Sequence, residues 1–105
     1  MKNIAILAIL AVSASAAAHA AEVDIDQAGQ KFSPDKVTVK SGDTMHFTNE
    51  DDVKHNIHVD DESGNSQDMG IQKPGETINK TFDRPGHYQI HCSIHPRMKM
   101  TVDVQ

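Results

Sequence analysis

The segment of the chain with the most distinctive chemistry runs from His91 to Met100 and reads HCSIHPRMKM. Cys92, His95 and Met98 follow one another at intervals of three residues. A tight loop after a strand can aim three side chains with this spacing at one point. A thiolate, an imidazole and a thioether form a soft mixed donor set, which favours copper, whereas methionine is not a usual zinc ligand. The segment therefore predicts a copper site.

A single loop rarely closes a metal site, so a second histidine is expected from elsewhere in the chain. His55 lies just before an alternating segment, Ile57–Val59, and this position allows its side chain to reach the loop that carries Cys92 and His95. Two histidines and a cysteine in one plane, with a long axial methionine, form the blue-copper type of electron-transfer site. Because such a mixed site suits both Cu(II) and Cu(I), we predict one copper ion that changes between these two states.

The first twenty residues have the pattern of a secretory signal peptide. Lys2 gives a basic start, Ile4–Val12 is an apolar run, and Ala18–Ala20 fits a cleavage site. The apolar run is too short to span a bilayer, which requires about 20 residues. We therefore expect a cleaved signal peptide at residues 1–20 and one domain at residues 21–105. The mature protein is expected in the periplasm, as a monomer without a membrane attachment.

Composition and motifs narrow the remaining function classes. The formal net charge is −5, which argues against nucleic acid as a partner, since nucleic acid requires a basic face. Cys92 is the only cysteine, so in an exported protein it either pairs with another chain or binds a metal. Asp51 and Asp52 are interpreted as solvated loop charge. Four protein ligands on the metal would leave no position for a substrate, and we predict that the protein is not an enzyme.

Apolar and polar residues alternate with a period of two along most of the chain, as in strands with one buried face. Turn residues such as Ser41-Gly42-Asp43 separate these segments. This pattern predicts an all-β protein, an antiparallel sandwich or barrel. The polar segment from Asp60 to Gly75 is interpreted as a loop that contains at most one irregular helical turn.

Several motifs resemble the plastocyanin-type and amicyanin-type cupredoxins. They are Phe32–Pro34, His55–His58, Gly86–Tyr88 and His91–Met98, the last of which is most similar to the amicyanin ligand loop. The resemblance covers nearly all of the predicted mature chain and is poorest at residues 60–69. It implies a Greek-key β-sandwich of about seven to eight strands, a copper site at one end, and electron transfer between redox partners. It also implies that Asn56 stabilises the ligand loops by hydrogen bonding.

The same resemblance leaves two candidates for the axial ligand. Met98 lies three residues after His95, as in amicyanins, whereas Met100 lies five residues after it, as in plastocyanins. The final strand of these families begins where Met100 stands, at a position that is usually glycine. Alternation also places Met100 on the same face as Val102 and Val104. We assign Met98 as the ligand and Met100 to the core, and keep Met100 as the alternative axial ligand.

Three further histidines are candidates for a second, labile copper site. His46, His58 and His91 fall on strand faces opposite the predicted core residues, and they would face one another if their strands were neighbours. The resemblance to amicyanins includes His58 and His91 but not His46.

Two functions fit these predictions. The first is a one-electron carrier in which His95 offers its exposed ring edge as the electron port. Ile94 and Pro96 would then form a weak docking patch for redox partner proteins, and Arg97 would select an acidic partner. The alternative is a periplasmic copper-tolerance protein that sequesters or hands on copper, which the surplus of histidine and methionine suggests. A carrier requires one tightly held copper ion, whereas copper handling favours a second ion that is easily lost.

Overall fold

The computed structural model describes residues 19–105, so nearly all of the predicted signal peptide at residues 1–20 lies outside the described residues. Residues 19–105 contain no helix that is long and apolar enough to cross a membrane. This part of the chain forms nine strands: β1 Glu22–Ala28, β2 Lys31–Ser33, β3 Lys36–Val39, β4 Asp43–Asn49, β5 His55–Asp60, β6 Ser66–Gln72, β7 Thr77–Phe82, β8 Gly86–His91 and β9 Lys99–Val104.

The strands form a sandwich of two sheets. One sheet has the order β2-β1-β4-β7, and the other has the order β3-β9-β8-β5-β6. The predicted all-β sandwich is confirmed, but the sheets are mixed and not purely antiparallel, because β1 pairs with β4 and β3 pairs with β9 in parallel. The chain crosses to the second sheet at β3 before it returns at β4, and so β4 is not joined to β1 by a hairpin.

Alternation along the strands builds the core between the sheets. In β4, Met45 and Phe47 are fully buried, while His46 between them lies on the outer face and is only partly buried. Ile57 of β5 and Ile90 of β8 are fully buried from the opposite sheet. Burying each such side chain contributes about 1.5–3 kcal/mol to the free energy of unfolding. The contact between the two sheets is therefore the main source of stability.

The interpretation of residues 60–75 as a loop is wrong for β6. This strand pairs antiparallel with β5 along the edge of the five-stranded sheet. Most of its residues are exposed on both faces, and only Met69 and Gln72 are partly or fully buried. An edge strand without a continuous core face shows no alternation of apolar and polar residues, and so the sequence pattern did not reveal it.

Three strands of the five-stranded sheet bring the predicted ligands to one end of the sandwich. His55 is the first residue of β5, Cys92 directly follows β8, and Met98 directly precedes β9. Since β8 is antiparallel to both β5 and β9, the end of β8 lies beside the beginnings of its two neighbours. The loop from Cys92 to Met98 closes the β8–β9 hairpin at this end.

Candidate metal centre

The ligand atoms of His55, Cys92 and His95 converge at the end of the sandwich, all within 4.8 Å of one another. The two Nδ1 atoms are 3.0 Å apart, and each is 3.8 Å from Sγ of Cys92. A point equidistant from these three atoms is about 2.1 Å from each, close to the roughly 2.0–2.3 Å bonds of imidazole and thiolate to zinc, an ion of comparable size. The three donors are therefore spaced to hold one metal ion.

The chemistry of the donor set identifies copper as the ion that fits. Cys92 and His55 are fully buried, and the backbone N–H of Asn56 donates to Sγ of Cys92 over 3.4 Å. A cysteine binds a metal ion as a thiolate, and a hydrogen bond to its sulfur stabilises that anion when the ion is bound. Two imidazole nitrogens and one thiolate are the trigonal donors of a type 1 copper site. The residues present therefore fit type 1 copper.

Asp51 orients His55, the buried candidate ligand. Its Oδ2 accepts a hydrogen bond of 2.8 Å from Nε2 of His55, which leaves Nδ1 as the nitrogen that faces Cys92. Burial acts to raise the pKa of Asp51, but hydrogen bonds from the Gln30 N–H, from His55 and from the Gly29 N–H bring the pKa below its ordinary value of 3.8. The group is thus a carboxylate at neutral pH, and it fixes both the tautomer and the orientation of His55.

Sequence reasoning missed this role, because it treated Asp51 as solvated charge. The side chain of Asp51 is only 14% exposed, and its hydrogen bonds with Gly29 and Gln30 reach across more than twenty residues of chain. The available signal was the four-residue spacing between Asp51 and His55, which places a carboxylate near a candidate ligand.

Replacing Asp51 with asparagine is expected to weaken copper binding by about 10- to 100-fold, the usual effect of removing a carboxylate that supports a metal-bound histidine. The amide NH2 of asparagine would be a donor placed opposite N–H donors, where the carboxylate oxygen is now an acceptor. His55 would also lose its negatively charged partner. Competition with a copper chelator measures the affinity. Asp52→Asn is the matched control, since Asp52 is the adjacent exposed carboxylate and its removal should leave the affinity unchanged. Equal losses in both variants would contradict a specific role for Asp51.

Asn56 joins the two loops that carry the ligands. Its Oδ1 accepts a hydrogen bond of 2.7 Å from the Ser93 backbone N–H, and its Nδ2 donates to Oγ of Ser93. Together with the hydrogen bond from its own N–H to Cys92, these contacts hold the start of β5 against the end of β8. The geometry agrees with the bridging role that the resemblance implied for Asn56.

Both candidate axial ligands are buried, but they occupy different settings. Met98 is fully buried in the ligand loop, where its N–H donates to the carbonyl of His95 and its carbonyl accepts from the N–H of Cys92. Met100 is also buried, but it lies in β9 opposite Ile90 and belongs to the alternating buried face of that strand. The predicted core packing of Met100 is thus observed, and Met98 shares backbone hydrogen bonds with two of the converging residues.

The three histidines named for a second copper site do not come together. His46 lies on the outer face of β4 in the four-stranded sheet, where it contacts Asn79 and Glu22. His58 and His91 lie on the outer face of the other sheet, on the opposite side of the sandwich, and their rings stack with centroids 5.0 Å apart. The geometry therefore separates His46 from the pair.

Comparisons with known proteins agree with this geometry. Residues 19–105 match the family described as copper binding proteins of the plastocyanin/azurin family. Amicyanin-alpha of Methylorubrum extorquens is 31% identical over 103 residues, which are 96% of this chain and 87% of that protein. The methylamine utilization protein MauL of the same organism is 35% identical over 65 residues, which are 62% of this chain and 57% of MauL. A solved structure of an amicyanin mutant with Cu(I) superimposes with a TM-score of 0.74 at 27% identity, covering 80% of this chain and 82% of that one.

Proposed function

The chain belongs to the plastocyanin/azurin family of copper-binding proteins, and from this premise we propose that it is a periplasmic one-electron carrier. The residues that would hold the copper ion are His55, Cys92 and His95, together with Met98. The observation that carries this proposal is the convergence of one thiol sulfur and two imidazole nitrogens at a point beside the surface. When bound, the ion supplies one-electron chemistry between Cu(II) and Cu(I).

The protein's own contribution is to hold the donors in one arrangement in both oxidation states. His55 is fixed from behind by Asp51, and Cys92 is fixed by the N–H of Asn56. The backbone hydrogen bonds of Met98 brace the ligand loop from within. Because these restraints come from different strands and loops, the donors have little freedom to rearrange when the charge of the ion changes, which favours fast electron transfer.

The exposed side of the centre has the features of a transient docking surface. His95 is only partly buried, and its Nε2 has no hydrogen-bonding partner among residues 19–105. Its neighbour Ile94 is 45% exposed and Pro96 is also exposed, while Val53 on the adjacent loop is 38% exposed. A small apolar patch around a ligand that reaches the surface suits a brief contact in which the electron passes through the imidazole.

Positive charge beside this patch favours an acidic partner. Arg97, Lys31 and Lys99 line one shallow cavity, together with Phe32 and Asp35. The whole chain has a net charge of −5, so this basic cluster is opposite in sign to the net charge of the chain. Complementary charges of this kind speed the encounter and orient the partner more than they tighten the complex.

The location of the carrier follows from its N-terminal pattern. The basic start, the apolar run and the small residues up to Ala20 together support export and cleavage after that residue. Four protein ligands would also leave no coordination position for a substrate, which supports a carrier over an enzyme.

The test is metal stoichiometry and voltammetry of the purified mature chain, residues 21–105. We expect one tightly held copper per chain, an intense visible band from thiolate-to-copper charge transfer, a type 1 EPR signal and a fast reversible one-electron wave. Tight copper binding without a reversible wave would contradict the carrier and leave a copper-binding role.

A copper-tolerance role is the second candidate, and the stacked pair of His58 and His91 favours it. That role requires a second copper that is lost during gel filtration, and increased copper sensitivity in a strain that lacks the protein. A carrier requires neither result.

A further inference from the structure

A pair of imidazoles on the outer face of the five-stranded sheet lies apart from the type 1 ligands. His58 of β5 and His91 of β8 are directly opposite each other in the strand register. Their rings stack at an interplanar angle of 27°, and their side chains are 20% and 30% exposed. Directly opposed residues of antiparallel strands have close Cβ atoms, so rotation of the two side chains can bring one nitrogen of each ring to a single ion without any change of the backbone.

Each imidazole of this pair has a carboxylate beside it. Nδ1 of His91 is 2.8 Å from Oδ2 of Asp60, and Nε2 of His58 is 3.6 Å from Oδ2 of Asp68. The other two nitrogens, Nδ1 of His58 and Nε2 of His91, have no hydrogen-bonding partner among the described residues. A carboxylate on one nitrogen orients a histidine and increases the basicity of the other, as at many metal sites.

The charge of this cluster also favours a cation. With neutral histidines, Asp60 and Asp68 give the four residues a net charge of −2. By contrast, His46 and His87 contact carboxylates of Glu22 and Asp103, but neither has a second imidazole stacked on it. The combination of two facing imidazoles and two carboxylates distinguishes the pair.

From this geometry we propose that His58 and His91 bind one divalent copper or zinc ion on the outer face of the sheet through Nδ1 of His58 and Nε2 of His91, with Asp60 and Asp68 as the carboxylates that orient the two rings. Imidazole donors suit Cu2+ and Zn2+, and the absence of sulfur from these four residues disfavours Cu(I). By the usual order of affinities, Cu2+ binds more tightly than Zn2+. His46, on the other sheet, takes no part.

The backbone connects the proposed ion site to the type 1 centre. His91 directly precedes Cys92 in the chain, and its side chain lies on the outer face of the sheet. His58 is two residues after Asn56, whose N–H donates to the sulfur of Cys92. A metal bridge between β5 and β8 would therefore clamp the same two strands that hold His55 and Cys92.

The site is tested on protein whose type 1 centre already holds one equivalent of copper. Isothermal titration with Zn2+ is expected to show one further site per chain, and a second equivalent of Cu2+ is expected to add an EPR signal with nitrogen couplings and no intense visible band. His58→Gln and His91→Gln should each lower the Zn2+ affinity at least tenfold, and Asp68→Asn should lower it less. The visible band of the first copper checks that each variant keeps its type 1 centre.

His87→Gln is the matched control, because His87 is a histidine of the same sheet that contacts Asp103 but has no stacked partner. Absence of a further Zn2+ equivalent would overturn the proposal, and so would an equal loss of affinity in His87→Gln and His58→Gln. Because the first copper is read from its visible band and the second ion by titration, failure of this site is distinguishable from failure of the carrier function.

Discussion

Replacing Cys92 with serine is expected to abolish the intense visible absorption of the copper-loaded protein and to weaken copper binding by well over tenfold. The hydroxyl stays protonated at neutral pH, so the site loses both its soft sulfur donor and the anion that balances the metal charge. Changing a residue that only supports a ligand lowers the metal affinity by about 10- to 100-fold. Loss of the ligand itself must therefore lower the affinity further.

The measurement combines visible and EPR spectra with thiol alkylation. In the wild-type protein, Cys92 should react with an alkylating reagent only after the copper is removed and the site is opened. Serine differs from cysteine by one atom, so the metal-free variant should keep its fold, which circular dichroism checks. An unchanged visible band in Cys92→Ser, or complete alkylation of the copper-loaded wild type, would overturn the assignment of the thiolate as a ligand.

Replacing Met98 with leucine is expected to raise the reduction potential and alter the visible spectrum while copper stays bound. A thioether donor stabilises Cu(II) through its weak axial bond, and leucine removes the donor while nearly conserving the volume. Each tenfold loss of affinity for Cu(II) relative to Cu(I) raises the potential by about 59 mV in a one-electron couple. Voltammetry of the two forms measures this shift directly.

Met100→Leu is the matched variant, because Met100 is equally buried but lies in the paired part of β9. A conservative change in the core should cost less than about 1.5 kcal/mol of unfolding free energy and leave the potential unchanged. If Met100→Leu shifts the potential and Met98→Leu does not, the axial ligand is Met100.

The sequence was most informative where the relevant information is local. Cys92 and His95 lie three residues apart, so donor type and spacing could predict before any fold was known that their side chains converge, and Met98, three residues further on, stays a predicted ligand. Placing His55 beside them required only that one strand begin near the end of another. The resemblance to cupredoxins supplied the sandwich, which alternation alone left undecided between a sandwich and a barrel.

Interactions that depend on which sheet a strand joins were not predictable in this way. A period of two assigns His46 to an outer face but does not say to which of the two sheets β4 belongs, and so His46 was grouped wrongly with His58 and His91. Asp51 was missed for a related reason. Its contact with His55 depends on how the loop before β5 folds against the distant turn at Gly29.

The contacts of Asp51 have a consequence beyond the ligand that it orients. Gly29 and Gln30 form the reverse turn between β1 and β2, and both adopt positive φ angles, of 61° and 56°. Gln30 is a residue that rarely tolerates this conformation, and its N–H is held by the same carboxylate that grips His55. Metal occupancy of the centre is thereby linked to the integrity of a hairpin in the opposite sheet. Lengthening or loosening that hairpin would free Asp51 and so remove the hydrogen bond that holds the His55 imidazole, although no residue of the hairpin supplies a donor to the ion.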